Sequence, residues 1–145
     1  MHDRVPCSQL RSFQVDVVIS VLPNDDVLKT VVIDPNNGIM AGMNDTSHDS
    51  LHVSVSTVSP DTSRAMARMH EKAGHSFVGA PIFARPDGVR ARQGSFVLGG
   101  DRRAVSRATP ILQTTCDVWD FGEDAGAGNV VKLCGTCVEG CQAQL

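Results

Sequence analysis

The 145-residue chain lacks any Gly-x-Gly-x-x-Gly, any run of basic residues, any long apolar run and any internal repeat or low-complexity tract. Each absence excludes something. With 13 Lys and Arg against 16 Asp and Glu and no basic cluster, there is no electrostatic footprint for nucleic acid or an anionic membrane surface. No stretch approaches the roughly 20 apolar residues of a membrane span, and residues 1–10 lack the apolar centre of a secretory signal. The expectation is a soluble intracellular protein, cytoplasmic by default, with an organelle left open in case the N-terminus is incomplete. Five cysteines, at 7, 116, 134, 137 and 141, cannot all pair within one chain and do not form a small secreted disulfide framework, so reduced thiols are expected. His2, His48, His52, His70 and His75 show no catalytic or metal-ligand spacing; they read as ordinary polar or partly buried residues, and no metal site is expected.

What is present is ordinary for one globular domain: 41% hydrophobic and 20% charged residues, enough for a single core. Residues 15–22 form a near-continuous β-branched run, the pattern of a strand buried on both faces. Pro23 ends it, and Asn24 or Asp25 can cap a helix through Val27, Leu28, Val31 and Val32. Residues 34–49, with Pro-Asn-Asn-Gly and small polar neighbours, read as a solvated connection. A second strand covers 51–58, and Ser59-Pro60-Asp61-Thr62 starts a helix whose Ala65, Met66, Met69 and Ala73 share a face up to a left-handed stop at Gly74. Strands follow at 75–82 and 94–98 around a loop carrying Arg85, Pro86 and Gly88. Asp101 opens a helix with Ala104, Val105, Ala108, Ile111 and Leu112 on one face, in which Pro110 removes a backbone bond. A last strand, 117–121, leads through Gly122 and Gly126 to a helix holding Lys132. This alternation predicts an α/β fold, a parallel sheet with helices on both faces. Cys134, Cys137 and Cys141 fall at i, i+3 and i+7, one helical face; without a fourth ligand for zinc or an iron–sulfur cluster, they are expected to form a buried or partly buried stripe.

Two strands end in turns suited to a ligand: Asp-Val-Val-Ile-Ser-Val-Leu-Pro at 16–23 and His-Val-Ser-Val-Ser-Thr-Val-Ser-Pro at 52–60. A lysine then follows in Gly-Ala-Gly-Asn-Val-Val-Lys at 126–132. Open α/β sheets present ligands at the carboxyl ends of their strands. In this order and wording, residues 14–135 resemble the later half of the nucleotide domain of the 3-hydroxyacid dehydrogenases, the family of 3-hydroxyisobutyrate and 6-phosphogluconate dehydrogenases. The resemblance implies hydride exchange between NAD or NADP and a small hydroxy acid or its carbonyl partner. It implies the later half of a Rossmann-type, mostly parallel sheet, without the first βαβ unit and the C-terminal helical domain. Residues 1–125 would be a partial NAD(P)-binding domain and 126–145 the start of the interdomain helix, diverging from the family after about residue 135.

The resemblance also implies roles. Leu22, Pro23 and Val27 would lie along the cofactor, Thr57 beside the nicotinamide riboside, and the Ser56 hydroxyl near a substrate carboxylate. Lys132 would be the catalytic group that takes or gives the alcohol proton. Where the family reads Asp-Ala-Pro-Val-Ser-Gly-Gly, this chain has Gly79-Ala80-Pro81-Ile82-Phe83-Ala84-Arg85. Ser56, Thr57 and the Lys132 amine would converge on one cleft with Phe83 or Arg85 on its wall; Phe83 would narrow or line the substrate pocket, and Arg85 either replaces glycine amides by a bidentate carboxylate contact or is a solvated loop residue. Thr136 stands where the family places an asparagine. Taken alone, Ser56-Thr57 reads as a turn or cap and Lys132 as a surface lysine. The missing glycine-rich loop would normally hold the pyrophosphate, so weak cofactor binding is expected, and the alternative is a non-catalytic α/β fragment or interaction module. The strand at 15–22 is expected near an exposed sheet edge, which invites self-association.

Overall fold

The computed structural model describes residues 16–44 and 48–142. His2, Cys7 and Val15 lie outside the described residues, as does the side chain of Cys141. The strands are β1 Val17–Ser20, β2 Leu51–Ser54, β3 Ser76–Gly79, β4 Ile82–Phe83, β5 Ser95–Gly100 and β6 Asp117–Asp120. The helices are α1 Asp25–Ile33, α2 Ile39–Asn44, α3 Pro60–Lys72, α4 Pro86–Arg90, α5 Arg102–Leu112 and α6 Ala127–Gln142. The sheet order is β1-β2-β3-β5-β4, with β6 also paired to β5.

β1, β2 and β3 run parallel, as do β5 and β6. β3 and β4 are successive segments facing the same strand: Val78 and Gly79 pair antiparallel with Gly100 and Gly99, and Ile82 and Phe83 with Phe96 and Ser95. The sheet is therefore mostly parallel, as expected, with one antiparallel seam. The reason is the connection. Residues 84–94, holding only the short α4, are too few for the crossover of a dozen or more residues that parallel neighbours need.

Local signals explain most element ends. Asn24 caps α1, its side chain accepting from Val27 N at 2.9 Å. Ser59 caps α3 by accepting from Thr62 N, Pro60 occupies the first helical turn, and Gly74 follows at φ +80°. Four expectations are corrected. Residues 39–44 are helical, because Ile39, Met40 and Met43 bury a short apolar face that the surrounding polar residues mask in sequence. The buried face of α3 is Thr62, Ser63, Met66 and His70, with Ala65 and Met69 at its margin and Ala73 exposed at the cap. Ile111 points outward while Ala104, Val105, Ala108 and Leu112 are buried, and α5 continues through Pro110. Cys134 and Cys137 are exposed, since the helix turns their shared face away from the sheet.

Two cores flank the sheet. One joins Leu51, Val53, Val78 and Leu98 to Ala104, Val105, Ala108 and Leu112 of α5. The other joins Leu28, Val32, Met43, Met66 and Phe77 beneath α1, α2 and α3. Adjacent Phe77 and Val78 fall in different cores, the period-two alternation of a strand covered on both sides. The start of α6 approaches this sheet at backbone distance. An added Cβ would stand 2.2 Å from Val97 O at Gly128, 2.3 Å from Asp124 O at Gly99 and 2.6 Å from Ala125 O at Gly79.

Candidate active site

The loops that follow β1 and β2 are tied together at their carboxyl ends. Leu22 N donates to Ser56 Oγ at 2.8 Å. Ser56 is only 2% exposed, so its oxygen joins two loops rather than facing an open cleft. Next to it Thr57 is exposed, as is Pro23, while Leu22 and Val27 are half-buried. The Ser59 hydroxyl donates to Asp25 Oδ1 at 2.7 Å and Ser59 N donates to the same carboxylate, bracing the first turn of α1 against that of α3. Burial opposes ionisation of Asp25, but hydrogen bonds from Thr62 and Ser59 and the charge of Lys29 outweigh it and hold the carboxyl below its usual range.

α6 is fixed to this rim by Asn129, which is fully buried. Its Oδ1 accepts from Val58 N at 2.9 Å and its Nδ2 donates to Ser63 Oγ at 2.8 Å. Both ends of the amide are used, as a buried amide requires. Outside it, Arg64 donates from Nε to Asp124 Oδ1 at 2.9 Å and from Nη2 to Oδ2 at 2.7 Å. Those bonds, with Gly126 N donating to Asp124 Oδ1, lower the Asp124 pKa and fasten the turn before α6 to α3.

One helical turn beyond Asn129, Lys132 Nζ lies 4.2 Å from the centroid of the Phe83 ring. Ammonium and ring face attract through the ring quadrupole. Phe83 is seated in turn on Gly135, where an added Cβ would meet its Cζ at 2.6 Å. Phe83, Ala84, Arg85 and Lys132 line a cleft of about 480 Å³. The Thr136 hydroxyl donates to Lys132 O at 2.9 Å, a bond within its own helix.

The structure thus brings Phe83, Arg85 and Lys132 into one cleft, and Leu22, Ser56 and Thr57 into one adjoining pair of loops. Ser56 and Thr57 do not line the Lys132 cleft; Asn129 connects the two groups. Sequence reasoning passed over Asn129, although an amide set among glycines at the core side of a helix start is a recognisable signal.

A model of the NAD-binding domain of 6-phosphogluconate dehydrogenase matches residues 6–134. The chain belongs to that family. The family is also that of the 3-hydroxyacid dehydrogenases, as one relative and one solved structure illustrate. The chain is 30% identical over 125 residues to 3-hydroxyisobutyrate dehydrogenase of Pseudomonas aeruginosa, covering 86% of this chain and 41% of that one. It is 29% identical over 126 residues to an uncharacterised oxidoreductase of Bacillus subtilis, covering 86% of this chain and 43% of the other. Among solved structures it is similar to Mycobacterium tuberculosis 3-hydroxyisobutyrate dehydrogenase with L-serine, at a TM-score of 0.76 and 28% identity, over 86% of this chain and 40% of that one. The chain therefore spans about two fifths of the length of such family members. The α/β, mostly parallel Rossmann-like architecture is the family's, and the family binds a nicotinamide nucleotide.

Proposed function

We propose that this chain forms the nicotinamide side of an NAD(P)-dependent oxidoreductase site that exchanges hydride with a small hydroxy acid or its carbonyl partner. The observation that supports this most is the placement of Lys132 over Phe83, beside Arg85, on a helix tied by Asn129 to the Thr57 loop. The rim also suits such a cofactor: half-buried Leu22 and Val27 with exposed Pro23 offer an apolar edge, and Thr57 offers an exposed hydroxyl. When bound, the nicotinamide supplies the hydride donor or acceptor. The Arg85 fork receives the substrate carboxylate. Phe83 lines the cleft and holds the ammonium in place, and Lys132 Nζ gives a proton to the forming alcohol oxygen or accepts it in the reverse direction. In this reading residues 1–125 belong to the partial nucleotide-binding domain and 126–145 to the start of the interdomain segment, of which α6 is the described helix. Neither NAD nor NADP is favoured by these contacts.

The 145 residues contain no glycine-rich phosphate loop, so this chain should hold NADH or NADPH only weakly and turn over hydroxy acids at or below detection. The test is isothermal titration with each cofactor and an oxidation assay, repeated on Lys132→Ala. Tight saturable binding, with turnover abolished by Lys132→Ala, would show the remaining residues sufficient and refute the weak-binding expectation. Absence of binding by either cofactor at millimolar concentration would favour the second reading, a non-catalytic α/β module.

Self-association is proposed on separate grounds. Among the described residues β1 pairs with β2 alone, and Ile19 and Val21 near its end are 48% and 73% exposed. An apolar edge strand is a template for another chain. Sedimentation at micromolar concentrations should show dimers or larger species, and Ile19→Lys should shift them toward monomer. A monodisperse wild-type monomer would count against the idea.

A further inference from the structure

A polar seam unused by the hydride chemistry crosses one core. Val53 of β2 faces the α5 core, so by strand alternation His52 and Ser54 face the opposite layer. There the Ser20 hydroxyl lies 2.8 Å from His52 Nε2, His52 Nδ1 lies 3.1 Å from His70 Nε2, and His70 Nδ1 lies 2.8 Å from Met66 O. Both histidines are fully buried, and Phe77 packs against both rings at 5.2 Å between centroids.

The proton order in this chain is determined. Met66 O can only accept, so His70 Nδ1 donates to it. Neutral His70 then carries its lone pair on Nε2, which makes His52 Nδ1 the donor across the 3.1 Å contact. His52 Nε2 is left as an acceptor, and Ser20 donates to it. One arrangement satisfies every atom.

A further proton cannot enter without turning Ser20 round: on His52 Nε2 it reverses the Ser20 bond alone, and on His70 it reverses the whole order. A doubly protonated His70 would point Nε2–H at His52 Nδ1–H. His52 must therefore carry its proton on Nε2 instead and donate to Ser20, whose own proton then needs a new acceptor. Ser54 pairs with Ser20 in the strand register, and among the described residues its Oγ is a buried side-chain oxygen with no hydrogen-bond partner. It is suited to receive the Ser20 proton.

We propose that the Ser20–His52–His70 chain is an acid-operated latch on the end of β1: uptake of one proton by the histidine pair turns Ser20 toward Ser54 and releases residues 21–23. The protonated pair is a cation buried against Phe77, a member of the apolar core that also holds Leu28, Val32 and Met66. The ionisable groups around it give little relief: His75 opposes a charge on His70, His48 adds to that opposition at His75, and Asp49 beside them is held by Arg107. Hydration offers the remaining relief, and β1, as the edge strand among the described residues, is the element that can move to admit water.

Linkage gives the direction. Burial, then the charge of His70, puts His52 well below its ordinary pKa. Burial, partly countered by the bond to Met66 O and reinforced by His75, lowers His70 to about 4. In the open form both return to about 6.5. A base with a depressed pKa in the closed form favours that form above about 6.5, and the latch weakens as pH falls from there toward 4. This does not rest on the proposed hydride transfer; only its consequence for the cofactor-side loop does.

The test uses the 145-residue chain. Histidine ¹⁵N spectra at pH 7.5 should show both imidazoles neutral and protonated on Nδ1. Between pH 7 and 5, protection of the Leu22 amide, corrected for intrinsic exchange, should fall by up to tenfold per pH unit for each proton taken up, ahead of Val53. His70→Gln should flatten that dependence. An Nε2–H tautomer at either histidine at pH 7.5, or Leu22 and Val53 losing protection in parallel, overturns the latch. Both decisive readouts are on the wild-type chain, so a variant that fails to fold does not spoil the test.

Discussion

Gly128→Ala should destabilise the fold by about 3 kcal/mol or more, a large part of the 5–15 kcal/mol typical of a domain. The added Cβ would stand 2.2 Å from Val97 O, 3.1 Å from Val97 C and 3.2 Å from Gly79 O. All three are backbone atoms of the central sheet, so no side chain can rotate away and α6 must lift. Lifting α6 strains the Asn129 bonds and carries Lys132 off the Phe83 ring. A control comes from Gly42 in α2, where an added Cβ meets nothing within 4 Å. Gly42→Ala should be neutral or stabilising by about 0.5–1 kcal/mol, the usual helix-interior preference. Urea midpoints of the two variants decide the matter. A loss below about 1 kcal/mol for Gly128→Ala would mean that α6 does not lie at backbone contact with β5.

The glycines show why some of this fold was legible in sequence and some was not. Gly-Ala-Gly-Asn-Val-Val-Lys stands out as a motif and points to the family, but its chemistry suggests ligand approach. In the structure Gly128 and Gly99 serve helix-on-sheet packing, a long-range fact that no local pattern carries. Caps at Asn24 and Ser59 were readable because they depend on residues three positions apart. The antiparallel seam was not, because alternation of strands and helices is silent on how a short connection turns the chain. A shared cleft for Lys132 with Phe83 or Arg85 on its wall was legible from the strand ends, and Gly135 leaves room for the ring there; that Ser56 and Thr57 stand outside that cleft was not, because it depends on how their loop packs against Leu22. His52 and His70 read in sequence as ordinary polar or partly buried residues because they have no motif spacing, yet packing of α3 on β2 brings them together fully buried.

Asn129→Ala should cost about 3 kcal/mol and raise exchange at the Val58 amide, in the loop after β2, well before β2 itself opens. Removal of the side-chain amide leaves a buried N–H at Val58 without its acceptor and takes away the donor to the Ser63 hydroxyl. Each buried group left unmade costs about 1–3 kcal/mol, which outweighs the small void. Asn129→Asp separates hydrogen bonding from shape. It keeps the acceptor for Val58 N, and while protonated it can still donate to Ser63 Oγ. A fully buried carboxyl has its pKa raised in the folded state, so the variant should be closest to wild type at or below about pH 4 and lose ground as pH rises toward 8. Comparison with wild type at each pH cancels the acid response of the histidine pair. Urea midpoints from pH 4 to 8 with amide exchange at Val58 are the measurements, and an Asp variant whose deficit does not grow with pH would remove Asn129 from its bridging role. Because Val58 follows Thr57 and Lys132 lies one turn beyond Asn129, a loosened bridge separates the two groups of residues on which the proposed site depends.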